Sequence, residues 1–139
     1  MDINFADNIS LNDYNFLRNS VNWKLLSQRQ IENIFKNSAY FTVATVENKP
    51  VAMARVITDG GYIYFVADVI VLPEYQGHGI GRMILTNVMD YIKSNLHEGE
   101  FALANLMSVK GKETFYEKFG FQRRPNNEFG DGMTQWLVK

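Results

Sequence analysis

The chain has 139 residues, 46% of them apolar, which suits one domain with a sizeable core. Its 14 basic and 15 acidic residues nearly balance and form no run of one sign, so neither nucleic acid nor a membrane surface is an expected partner. The absence of cysteine rules out disulfides, thiolate metal sites and a cysteine nucleophile, and two histidines far apart in sequence do not make a metal site.

The opening MDINFADNIS lacks a signal-peptide core, and no apolar run approaches the roughly 18 residues of a membrane span, so a cytoplasmic protein is expected. No repeat or linker interrupts the sequence, which predicts a single domain over residues 1–139. Ser27-Gln-Arg-Gln30 has the form of a capping box and precedes Ile31, Ile34 and Phe35, predicting a helix over 27–37. Tyr40 to Val46 and Val51 to Ile57 are rich in β-branched and aromatic residues and read as antiparallel strands, with a second turn at Thr58-Asp-Gly-Gly61. Tyr62 to Leu72 is apolar on both alternating faces apart from Asp68, as in a central strand covered on both sides.

Ile84, Leu85, Val88, Met89, Ile92 and Leu96 recur at helical spacing and predict an amphipathic helix over 82–96. A strand over 101–109 follows, so the crossover makes 62–72 and 101–109 parallel neighbours. A short helix over 112–119 ends at Gly120, and strands are expected at 121–124 and 133–138. The expected fold is therefore α/β, with a mixed, mostly antiparallel sheet flanked by helices.

Between the central strand and the long helix lies Gln76-Gly-His-Gly-Ile-Gly-Arg82. A glycine turn opening a helix presents unpaired first-turn N–H groups at the positive end of the helix dipole, an arrangement suited to phosphate. Arg82 or His78 can add charge. The stretch is neither GxxxxGK[ST] nor GxGxxG, and spacing alone also fits a plain strand-to-helix turn.

Gln76-Gly-His-Gly-Ile-Gly81 matches the Q/R-x-x-G-x-G/A signature of the GNAT N-acetyltransferase superfamily, and Thr114-Phe-Tyr-Glu-Lys-Phe-Gly-Phe121 resembles that family's final motif. The resemblance implies that Gln76, Gly77, His78, Gly79, Ile80, Gly81 and Arg82 cradle the pyrophosphate of acetyl-coenzyme A. It also implies that the parallel strands splay, so that the pantetheine arm pairs with backbone at Val69, Ile70 and Val71. Asn105 and Lys112 are further cofactor candidates. An N–H near Val71 would polarise the thioester carbonyl.

Transfer to an amine needs a neutral nucleophile, because a primary amine has a pKa of about 10. Without cysteine, direct attack in a ternary complex is the expected route, with a base or a water chain removing the amine proton. Tyr116 is the family-implied acid for the departing thiolate; otherwise it is a core-edge tyrosine. Asp68 is the second catalytic candidate, since an acid in an apolar strand must be paired, hydrogen-bonded or protonated. It lies eight residues before Gln76, where amino-sugar acetyltransferases resemble it in carrying an acid. The alternative is a structural acid bound by arginine. Arg55 would face Tyr64 in the simplest hairpin register, which leaves it out of reach.

Trp23, Tyr62, Tyr64, Met133 and Trp136 are candidates for an acceptor pocket or for plain packing. The expected substrate is a small primary amine: an arylalkylamine, a polyamine or an amino sugar. A peptide amine, or a non-catalytic acyl-coenzyme A-binding module, are the alternatives. The family resemblance also leaves room for a homodimer.

Overall fold

Ser27 caps helix α2 (Gln28–Asn37) as its spacing predicts: its hydroxyl accepts from the Gln30 N–H at 3.2 Å, and the Gln30 side chain returns to the Ser27 N–H at 3.3 Å. The computed structural model describes residues 1–139, which divide into two compact units, Met1–Ala104 and Asn105–Lys139.

In the first unit, strand β1 (Asn4–Ala6) and helix α1 (Leu11–Ser20) precede α2, followed by β2 (Tyr40–Val46), β3 (Lys49–Thr58) and β4 (Ile63–Val71). A 3-10 turn at Pro73–Tyr75 leads to α3 (Ile80–Ser94), and β5 (Leu103–Asn105) completes a five-stranded mixed sheet in the order β1-β2-β3-β4-β5. Glu47 and Asn48, both at positive φ, turn β2 tightly into β3.

Helices cover both faces of this sheet. On one face Tyr91 of α3 stacks on Tyr40 with centroids 4.4 Å apart, and the Asn87 amide donates to the Thr42 hydroxyl at 3.0 Å. Ile80, Ile84, Leu85, Val88 and Ile92 of α3 are buried, each stabilising the fold by roughly 1.5–3 kcal/mol. On the other face Phe35 of α2 meets Tyr14 of α1 and Phe41 of β2 edge-on. No helix is long and apolar enough to cross a membrane.

The β3–β4 register differs from the simplest hairpin. Thr58 pairs with Tyr64, Val56 with Val66 and Arg55 with Ala67, because the connection through Asp59-Gly-Gly-Tyr62 is longer than a two-residue loop. Past Ala67 the pairing shifts: Met53 pairs with Ile70 and Ala52 with Val71, so Asp68 and Val69 together oppose Ala54. This is a β-bulge, and Asp68 occupies it with φ 53°.

Three expectations for the chain's end need correction. The strand foreseen over 101–109 is confined to Leu103–Asn105; Leu103 donates its N–H to the Tyr62 carbonyl at 2.7 Å, so β5 joins the opening of β4. The segment 121–124 forms no strand. Arg123 pairs with Glu117 at 2.8 Å, and Arg124 donates to the Gly130 carbonyl at 2.7 Å while covering the Phe129 ring, which folds this stretch into local turns. Residues 133–138 are also outside any strand, since β propensity without a partner strand does not make a sheet. In this second unit the regular element is α4 (Glu113–Glu117).

Candidate active site

The glycine turn begins at the end of β4. Gln76 folds its side-chain amide back onto the Val71 carbonyl at 3.0 Å, tying the loop to the strand. Gly77 and Gly79 both take φ 81°, a conformation that strains residues carrying a Cβ, and Gly79 is the N-cap of α3. The first bond into α3 runs from Met83 N–H to the Gly79 carbonyl at 3.1 Å. The N–H groups of Ile80, Gly81 and Arg82 therefore lie ahead of the helical ladder. Neither a capping side chain nor a first-turn acid competes for them, while His78 and Arg82 are exposed beside the turn. Donors, dipole and flanking cations together suit a pyrophosphate.

The bulge governs the neighbouring backbone. Leu72 donates its N–H to the Val51 carbonyl at 2.8 Å, and alternation along an antiparallel strand then turns the polar groups of Val71 away from β3 and those of Ile70 toward it. Of the three residues expected to offer backbone to the cofactor, Val71 turns its polar groups away from β3, Ile70 faces its partner strand, and Val69 lies in the bulge.

Asp68 is engaged on both carboxylate oxygens. One accepts from Arg18 Nη1 at 3.1 Å; the other accepts from Arg55 Nε at 2.6 Å and from the Tyr14 hydroxyl. The Tyr14 pKa is raised by burial and, next, by the Asp68 charge, so its hydroxyl stays protonated as a donor. Arg55, set aside on the simplest register, is thus a direct partner of Asp68, because the longer turn and the bulge carry the two residues to the same level. Asp68 is a paired acid, bound by two arginines and a tyrosine. Arg18 further donates from Nε to the Lys24 carbonyl at 2.8 Å, and Arg55 from Nη1 to the Ser38 hydroxyl at 3.2 Å. The cluster joins α1, β3, β4 and the C-cap of α2.

Tyr14 and Arg18 had no place in the sequence reading. Their signal was Ser10, which caps α1 by accepting from the Asp13 N–H at 3.1 Å, ahead of the buried pair Tyr14 and Leu17.

In the second unit, Lys112 is the N-cap position of α4 and is exposed; Asn105 ends β5 and is half-buried. Tyr116 is buried between the Phe115 and Phe121 rings, and burial raises its pKa. No buried side-chain polar atom lacks a partner, and the Tyr116 hydroxyl makes no hydrogen bond within the chain, so that hydroxyl reaches the surface.

Tyr64 is only 2% exposed and belongs to the core, whereas Trp136 and Met133 are 85% and 88% exposed. Tyr62 rests against Phe101 at the surface, and half-buried Trp23 lies 5.5 Å beneath the Arg18 guanidinium.

The acetyltransferase (GNAT) domain model matches residues 37–123, a span that runs from the end of α2 past α4 and includes the glycine turn, the bulge and Tyr116. The chain belongs to the GNAT acetyltransferase family. It is 26% identical over 128 residues to the uncharacterized N-acetyltransferase ycf52 of Pyropia yezoensis, covering 88% of this chain and 71% of that protein. Among solved structures, SA2161 of meticillin-resistant Staphylococcus aureus superposes with a TM-score of 0.83 at 25% identity, covering 96% of this chain and all of that one. The GNAT-family acetyltransferase SP0256 of Streptococcus pneumoniae superposes at 0.78 and 25%, covering 99% and 98%. For this GNAT acetyltransferase, the five-stranded mixed sheet flanked by helices agrees with the fold of these neighbours.

Proposed function

We propose that this acetyltransferase transfers the acetyl group of acetyl-coenzyme A to the primary amine of a small molecule, by direct attack in a ternary complex. The observation that carries the reading is the open first turn of α3, tied through Gln76 to the end of β4. When bound, acetyl-coenzyme A supplies an activated thioester; a C–N bond forms, the C–S bond breaks, the amine gives up a proton and the departing sulfur gains one. The Ile80, Gly81 and Arg82 amides, with His78 and Arg82, hold the pyrophosphate. Val71 N–H would polarise the acyl carbonyl.

Tyr116 supplies the proton to the sulfur. Burial keeps its hydroxyl protonated through neutral pH, and that hydroxyl is uncommitted within the chain. Both Asp68 oxygens already accept from Arg18, Arg55 and Tyr14, so we assign it to positioning: it holds the bulge ahead of Val71, and water removes the proton. Tyr64 belongs to the core, which removes it as an aromatic contact for the acceptor.

Calorimetric titration with acetyl-coenzyme A, followed by thiol release across a panel of small amines, tests the proposal. Saturable binding together with amine-dependent release is expected. No binding at millimolar ligand, or binding without release for any amine, would overturn it.

A further inference from the structure

The Asp68 cluster is not electrically neutral. Two guanidinium groups converge on one carboxylate, their third partner, Tyr14, is uncharged, and neither arginine has a second acid within ion-pair distance. One positive charge is therefore left over in a region where each arginine side chain is only 13% exposed. An excess charge with so little water around it favours a counter-anion.

Hydrogen-bond capacity leads to the same place. Arg18 commits Nε to Lys24 and Nη1 to Asp68; Arg55 commits Nε to Asp68 and Nη1 to Ser38. The Nη2 group of each remains. Since no buried polar side-chain atom is unpartnered, both Nη2 groups open to solvent, and a shared carboxylate holds the two guanidiniums close together. Guanidinium N–H donors left over on two arginines of one cluster suit the oxygens of a carboxylate or phosphate. Asp68 itself lies three residues before Val71, whose N–H is assigned above to the acyl group.

We infer that Arg18 and Arg55 bind an anionic group, a carboxylate or a phosphate monoester, on the acceptor amine. This rests on the acetyl-transfer reading and narrows it: a polycationic amine is repelled, and an amino acid or a phosphorylated amino sugar is favoured.

Trp23, beneath Arg18, is a built-in reporter. In a Trp136→Phe background, whose replaced residue is exposed and distant from the cluster in sequence, inorganic phosphate is titrated while Trp23 fluorescence is read. A saturable change at millimolar phosphate is expected. In Arg18→Gln the binding weakens by about tenfold or more, the loss of one charge-assisted hydrogen bond, and Arg18→Lys restores part of it. Dependence on Arg18 separates this site from phosphate held at the glycine turn.

A second arm uses the unmodified protein, so it does not depend on the variants folding. Thiol release is compared for glucosamine against glucosamine 6-phosphate and for tyramine against tyrosine, with spermidine as the cationic control. A preference for the anionic member of at least one pair is expected. Equal turnover within both pairs, a preference for spermidine, or phosphate binding indifferent to Arg18 would overturn the inference. Acetyl-coenzyme A titration of the same proteins keeps the two readings apart: its failure removes the acetyl-transfer proposal and leaves the Arg18-dependent anion site standing.

Discussion

Replacing Asp68 with asparagine isolates the charge of the cluster from its backbone. Asparagine tolerates the left-handed φ of 53° almost as well as aspartate, so the bulge itself is little strained by the change. What is lost is the carboxylate that three donors share. Hydrogen bonds to a charged group contribute about 1.5–3 kcal/mol each, but the amide keeps one acceptor oxygen and the arginines, 13% exposed, recover some hydration. The net cost is about 2–3 kcal/mol, or roughly 8–12 °C in melting temperature for a chain of this size. Urea unfolding followed by circular dichroism measures it. Asp68→Ala should lie lower still, by about 1–2 kcal/mol, because alanine must also adopt the left-handed conformation. If Asp68→Asn stayed within about 0.5 kcal/mol of the parent while its turnover collapsed, the stabilising role assigned to the cluster would be wrong and a direct catalytic role would be right.

Three further outcomes are expected. Gly79→Ala should lower stability by about 1–2 kcal/mol and no more, since φ is 81° but a Cβ would meet nothing within 4 Å; a larger loss in urea unfolding would mean that the site is sterically closed. Tyr116→Phe should lower kcat by about a hundredfold with acetyl-coenzyme A affinity preserved, and unchanged turnover across pH would remove Tyr116 as the acid. Tyr14 has a folded pKa above its unfolded value of about 10, so its hydrogen bond to Asp68 stabilises fully below that pH and is lost progressively above it. Unfolding free energy should therefore fall above pH 10, with a shallower slope in Tyr14→Phe; identical slopes would contradict the assigned pairing.

Sequence by itself determined the elements whose causes are local. The capping box of α2, the apolar spacing of α3, the strands β2 and β3 and the glycine turn each depend on neighbours a few residues away, and each lies where its pattern predicts to within about two residues. The turn also carried the family resemblance, through the match of Gln76-Gly-His-Gly-Ile-Gly81 to its signature rather than through glycine spacing alone. Tertiary structure decided the rest. Asp68 meets Tyr14 and Arg18 across separations of 54 and 50 residues, and it meets Arg55 only because a longer turn and a bulge reset the β3–β4 register. No local pattern encodes such a reset, since β4 is apolar on both faces and a one-residue change of phase leaves no mark in its sequence. The same reason explains the short β5 and the missing C-terminal strands: β-branched and aromatic residues make a segment able to pair, and whether it pairs depends on a partner elsewhere in the chain.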